Sequence, residues 1–266
     1  MAAASEFKFL TIDGKRLETL RYPPARSETD ATIVMLHEGL GSIAMWKDFP
    51  ERVAETTGCG VLVYSRYGHG KSERLAEKRA VGFMHHEAKV VLPELLGQLE
   101  IQRPILFVHS DGGSIALVHT GSHENDRIRG LILEAPHVFV EDLGIDSIVT
   151  AAENYESGSL KTRLERYHGS NVECAFRGWN EVWLNPGFRS WNIEEYLPQI
   201  KVPVMVIQGA DDQYGTWRQV EAIERGCAGH VRTTLLKDCG HSPHRDQPDA
   251  TLRAVTEFLR EELQIG

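Results

Sequence analysis

The sequence has no long apolar run, no cysteines at metal or redox spacing and no excess of basic charge. Each absence excludes a class of protein. No stretch approaches the ~20 apolar residues that span a bilayer, so a membrane protein is not expected. Lys+Arg number 29 against 38 Asp+Glu, a net charge of −9 with no long run of either sign. A nucleic-acid partner, which needs clustered cations opposite phosphate, is therefore not expected. The four cysteines, Cys59, Cys174, Cys227 and Cys239, form no C-x-x-C pair. They read as packing or surface thiols in a reducing compartment, and a zinc site has no support. The first residues carry no basic region leading into an apolar core, so the expected location is cytoplasmic.

What is present is a chain of 266 residues, 41% hydrophobic and 25% charged, enough for one large α/β domain with a sizeable core. Residues 5–22 alternate apolar and polar around Asp13-Gly14, which predicts a β-hairpin. Five short runs rich in β-branched residues follow: 32–36, 61–64, 105–108, 131–133 and 204–207. None alternates, as expected of parallel strands covered on both faces. Helical periodicity falls between them, over 46–56, over 83–99 with Pro93 kinking the helix, and over 248–263 behind Pro248. Strands alternating with helices predict a mostly parallel sheet with right-handed crossovers. Residues 138–198 break the rhythm. They hold three of the five tryptophans and no convincing buried strand, which predicts a helical insertion between core segments 1–137 and 199–266.

The most informative segment is Val108-His109-Ser110-Asp111-Gly112-Gly113. A buried strand runs into Ser110 and an apolar helix starts at once. A serine on such a turn is thrust from the sheet edge. Its neighbour Asp111 offers a backbone N–H at a helix amino terminus, where the dipole favours developing negative charge.

This segment resembles the G-x-S-x-G elbow of the α/β-hydrolase superfamily, with Val108 replacing the first glycine. The resemblance implies the α/β-hydrolase fold and a chain order of nucleophile, acid and base. It selects Asp212, after strand 203–208, over Asp211 as the acid, and His241 over His244 as the base. Ser110 would attack, His241 would take its proton, and Asp212 would hold the imidazole tautomer. The segment His37-Glu38-Gly39-Leu40-Gly41-Ser42 resembles the superfamily's His-Gly loop. It implies an oxyanion hole from the Asp111 N–H with the Gly39 N–H, Leu40 being the alternative donor. Glu38 stands where glycine is common. It is expected to point outward, since a carboxylate beside the hole would oppose catalysis, with a substrate contact as the other reading. The Arg66-Tyr67-Gly68-His69-Gly70-Lys71-Ser72 segment resembles the family's R-x-G-x-G-x-S loop and is expected to stabilise the fold.

The insertion would be the family's variable cap, with Trp179, Trp183 and Trp191 as candidate substrate contacts. The paired histidines His85-His86 read as surface or helix-start residues, together with Glu87. Gly68-x-Gly70 lacks the rest of a dinucleotide fingerprint. No cofactor or metal is expected. The expected partner is a small molecule, and the expected state a monomer or homodimer. The functions in contention are an ester hydrolase, a C–C bond hydrolase with the same triad, and a non-catalytic ligand-binding member.

Overall fold

The computed structural model describes residues 5–24, 31–122 and 127–265. The hairpin forms strands β1 (Glu6–Ile12) and β2 (Lys15–Tyr22), turning at Asp13-Gly14. The five apolar runs become β3 (Thr32–Leu36), β4 (Gly60–Tyr64), β5 (Ile105–His109), β6 (Gly130–Glu134) and β7 (Val204–Gly209). An edge strand, β8 (Val231–Leu236), completes the sheet. The order is β1-β2-β4-β3-β5-β6-β7-β8, antiparallel through the β2–β4 pair and parallel beyond it. This is the α/β-hydrolase arrangement.

Alternation along the strands divides the core into two layers. On β3, Ile33 and Met35 join one layer while Val34 and Leu36 join the other; on β5, Ile105 and Phe107 oppose Leu106 and Val108. The first layer is covered by helix α1 (Phe49–Thr57) and by the last helix of the chain. The second is covered by α2 (Phe83–His86), α3 (Leu92–Gln98) and α4 (Asp111–Gly121). Between α2 and α3 lies a π-helical stretch, Glu87–Val91. Pro93 lacks an N–H and its ring crowds the carbonyl four residues back, so the helix widens there.

Segment 138–198 holds α5 (Asp142–Glu156), α6 (Ser159–His168) and α7 (Val172–Trp183), followed by short 3₁₀ turns. Its two ends meet: Phe139 bridges Asn192, and Ile193 N–H donates to the Val138 carbonyl at 2.8 Å. Three helices complete the chain: α8 (Trp217–Gly226), α9 (Pro243–Asp246) and α10 (Pro248–Glu261). In α10, Leu252, Val255, Phe258 and Leu259 face the sheet, each buried side chain contributing roughly 1.5–3 kcal/mol of transfer free energy. No helix among the described residues is long and apolar enough to cross a membrane.

Candidate active site

Ser110 stands between the last residue of β5 and the first of α4, with φ 53° and ψ −114°. Such backbone costs about 1–3 kcal/mol in a residue other than glycine and persists only where its surroundings impose it. They do so here. The Ser110 N–H donates to the Glu134 carbonyl on β6, and the Ser110 carbonyl accepts from Gly113 and Ser114. Gly112 must be glycine, because a Cβ there would lie 2.5 Å from the Leu36 carbonyl oxygen. Val108 is tolerated in place of the usual small residue because it points into the core, beside Leu36 of β3 and Leu133 of β6.

Asp212 follows β7 and His241 follows β8, on loops that lie against each other. Gly209 permits this contact, since a Cβ there would meet the Gly240 carbonyl oxygen at 2.1 Å. The Asp211 N–H also donates to the Cys239 carbonyl at 2.9 Å. His241 Nδ1 is 2.9 Å from both carboxylate oxygens of Asp212. Those oxygens accept as well from Gln208 Nε2 and from the Tyr214 and Gly215 N–H groups. Burial pushes the Asp212 carboxyl up, but the His241 charge and hydrogen bond and the Tyr214 N–H outweigh it, bringing the pKa to about 2. Asp211 is exposed. The Ser110 hydroxyl makes no hydrogen bond to His241 in this structure, although both line one cavity of about 340 Å³. Such contacts commonly tighten only when substrate is bound.

The loop after β3 is oriented through its carbonyl groups. Arg66, 1% exposed, donates to the carbonyls of His37 and Glu38. His69 Nε2 bonds the Gly39 carbonyl at 3.0 Å, and His168 Nε2 bonds that of Leu40 at 2.8 Å. In a trans peptide the N–H points opposite to the preceding carbonyl. Fixing the Glu38 and Gly39 carbonyls on one side therefore turns the Gly39 and Leu40 N–H groups to the other. Among the described residues, neither N–H has an acceptor within the chain. The Arg66–Ser72 loop thus aims the candidate donors, which goes beyond the stabilising role expected of it. Gly39 is also needed for space, because Trp179 of α7 lies where its Cβ would be.

Glu38 departs from expectation. It does not point away from the site but lines the cavity, its side chain 21% exposed, with Oε2 3.4 Å from Nδ1 of His109. The space for it is the missing side chain of Gly41, whose Cβ would be 2.3 Å from that oxygen. Burial pushes the Glu38 carboxyl up, but the close contact and charge of His109 and the charge of His244 bring it to about 2.

Trp179 and Trp183 line the cavity with Leu40, Ile148, Leu164 and Tyr214. Trp183 also donates from Nε1 to Asp111 Oδ1 at 3.1 Å. Burial raises the Asp111 carboxyl despite Arg66, 4.0 Å away, and despite this indole. Trp191 does not line the cavity. It stacks on Phe188 behind Trp183, so its expected contact with substrate is corrected to a packing role. Glu87, read as a surface or helix-start residue, is in fact buried near Arg66 and Arg79.

Several site residues escaped the sequence reading. His137 lines the cavity with its ring 5.6 Å from that of His241. Burial, reinforced by the His241 charge, lowers its pKa to about 3, so it stands neutral. Its place three residues after β6, at the sheet edge that carries Ser110, was the available signal. His109, Glu134 and His244 bring potential metal-ligand atoms within 4.8 Å of one another. Within this cluster His244 Nδ1 is bonded to Glu134 at 2.6 Å, and His109 Nε2 to the His241 carbonyl at 2.6 Å.

Residues 33–254 match the model of the alpha/beta hydrolase family. A 2-hydroxy-6-oxo-6-phenylhexa-2,4-dienoate hydrolase of Comamonas testosteroni is 22% identical, over 96% of both chains. A proline iminopeptidase of Lactobacillus delbrueckii subsp. lactis is 23% identical, over 80% of this chain and 84% of its own. An esterase from Exiguobacterium antarcticum superposes with a TM-score of 0.77 at 20% identity, over 96% of this chain and 100% of that one. At such identity the structural likeness speaks for the fold, while the family match spans most of the sequence. The chain belongs to the α/β hydrolase family.

Proposed function

We propose that this protein is a serine hydrolase that cleaves a small, largely apolar carboxylic ester through an acyl-enzyme. The observation that carries the reading is the His241 ring held by both oxygens of Asp212, in the same cavity as a serine on a strained elbow. Ser110 Oγ attacks the ester carbonyl carbon while His241 Nε2 takes its proton. The carbonyl π pair moves onto oxygen, where the N–H groups of Asp111 and Gly39 stabilise the charge, with Leu40 as the alternative to Gly39. The intermediate collapses, the C–O bond to the alcohol breaks, and His241 returns the proton to the departing oxygen. Water then repeats the sequence, releasing the acid and restoring Ser110. Asp212 accepts the Nδ1–H throughout and stays ionised. Residues 138–198 act as the cap, with Trp179 and Trp183 excluding water above the reacting centre.

The test is Ser110→Ala. It should fold and lose turnover, keeping only the acceleration due to the oxyanion hole and binding, about 10³–10⁴-fold over water by analogy with serine proteases. A fluorophosphonate probe should label the wild type and not the variant. Labelling that persists would place the nucleophile elsewhere.

A second reading, C–C bond hydrolysis with the same triad, is favoured by the C. testosteroni relative. Assaying short p-nitrophenyl esters beside a dienoate ring-fission product separates the two. Turnover of the dienoate with inert esters would replace the first reading by the second.

A further inference from the structure

We propose that Glu38 and His109 form a carboxylate–imidazolium pair, through which His109 acts as a positioning residue joining the oxyanion loop, the nucleophile strand and the base loop. Its catalytic consequence rests on the serine-hydrolase reading above; the ion pair itself does not. His109 precedes Ser110 and continues the Ile105–Phe107 side of β5, so its ring lies in the layer beneath the nucleophile, against Trp46. There it makes two contacts with opposite demands. Nε2 is 2.6 Å from the His241 carbonyl. A carbonyl only accepts, so this nitrogen carries hydrogen. Nδ1 lies 3.4 Å from Glu38 Oε2, with the His109 side chain 1% exposed. A neutral ring would then present its Nδ1 lone pair to a carboxylate, with the ring itself buried and the carboxylate reached from the cavity. A second proton on Nδ1 turns that repulsion into a charge-assisted contact.

The surrounding groups leave Glu38 as the partner. His109 is faced by Glu38 from the oxyanion loop, Glu134 from β6, His241 from the base loop and His244 from α9. Glu134 is bonded to His244 Nδ1 at 2.6 Å. Burial pushes His109 down, and the close contact and charge of Glu38, the charge of Glu134 and the His241 carbonyl together raise it above the ordinary histidine value. The pair also explains how a carboxylate is tolerated one residue from Gly39. Its charge is offset by the His109 ring at the edge of the cavity that Glu38 itself helps to line. One imidazole thus touches the loops carrying the candidate donors and the base, from the position next to the nucleophile.

The test begins on the wild-type enzyme with ¹⁵N-histidine labelling. In a pH series, one ring should keep both nitrogens protonated at pH values above the ordinary histidine pKa of about 6.5, where the other rings have lost the second proton. Glu38→Gln should convert that ring to a singly protonated form, and His109→Gln should remove the signal. Absence of a doubly protonated ring, or a signal surviving both substitutions, overturns the proposal. Should His109→Gln fail to fold, Glu38→Gln alone carries the assignment. In turnover, each variant should lower kcat by about 10–100-fold with KM little changed, as expected when reacting groups are misplaced rather than when binding is lost. The double variant should lose no more than the worse single one, because the two residues act as a unit. Losses that multiply, or an unchanged kcat in Glu38→Gln, would refute the positioning role. Failure of Ser110 to label would instead sink the hydrolase reading and leave the spectroscopic result standing.

Discussion

The loop after β3 and segment 138–198 meet at one cavity and present different surfaces to it, the loop its oriented backbone and the segment its rings. In the loop, the carbonyls of four consecutive residues, His37 to Leu40, each accept a hydrogen bond from a buried Arg or His side chain. Segment 138–198 adds ring packing to its hydrogen bonds: Tyr155 stacks on Phe176 at 3.7 Å, and Trp183 packs against Phe188 and Trp191. Its polar ties to the rest of the chain include His168 to Leu40, Trp183 to Asp111, Asn171 to the Gly70 and Ser72 carbonyls, and Glu141 to Thr216 and Gln219. Hydrogen bonds fix direction, which a donor aimed at a reacting oxygen requires. Apolar packing fixes volume and tolerates exchange of one side chain for another, which suits a surface that sorts substrates by shape.

The comparison breaks most severely at the triad. Asp212→Asn would permit the wrong imidazole tautomer, and kcat should fall by up to about 10⁴-fold as in the serine-protease precedent. Asp211→Asn, at an exposed position, should cost far less. Steady-state kinetics on both variants checks this ranking, and a reversal would mean that the acid has been misassigned.

The cap should respond differently. Trp179→Ala and Trp183→Ala should change the relative kcat/KM across an acyl-chain series, with about 10–200-fold discrimination per methylene as the ceiling for a hydrophobic pocket. Reactivity toward a minimal acetyl ester should change less. Trp191→Ala, behind the lining, should lower the melting temperature and leave chain-length preference unchanged. If all three folded variants keep the parental preference, the cap is not the specificity element.

The smallest effect concerns acid stability. Glu38 is depressed to about 2 from an ordinary value of about 4.3. A carboxyl with a lowered folded pKa contributes stability that is present above its unfolded value and lost as pH falls through its folded one. The melting temperature should therefore drop between about pH 4.3 and pH 2, more steeply in the wild type than in Glu38→Gln. Equal slopes would show that Glu38 has no folded-state advantage to lose.

Much of this architecture was legible in the linear chain, because its signals are local. Apolar runs without alternation predicted β3 to β7, and Asp13-Gly14 predicted the hairpin. A buried strand meeting small residues and an apolar helix exposed the elbow at Ser110. The resemblance to the superfamily's loop order singled out Asp212 and His241, which the fold brings to 2.9 Å. The inward turn of Glu38 was not legible, because it depends on space left by Gly41 and on a charge carried by His109, 71 residues further along the chain. Nor was the orienting role of Arg66, which reaches back to His37 and Glu38 from the loop after β4. Trp191 looked like Trp179 and Trp183, since an aromatic residue in an insertion carries no mark of which way it faces. The sequence by itself determined the strands and the elbow, whose signals are periodicity and turn chemistry, and its resemblance to the α/β-hydrolase superfamily implied the candidate triad. Only the tertiary structure decided where buried charges find their partners and which backbone N–H groups remain free, because both depend on contacts between residues far apart in the chain.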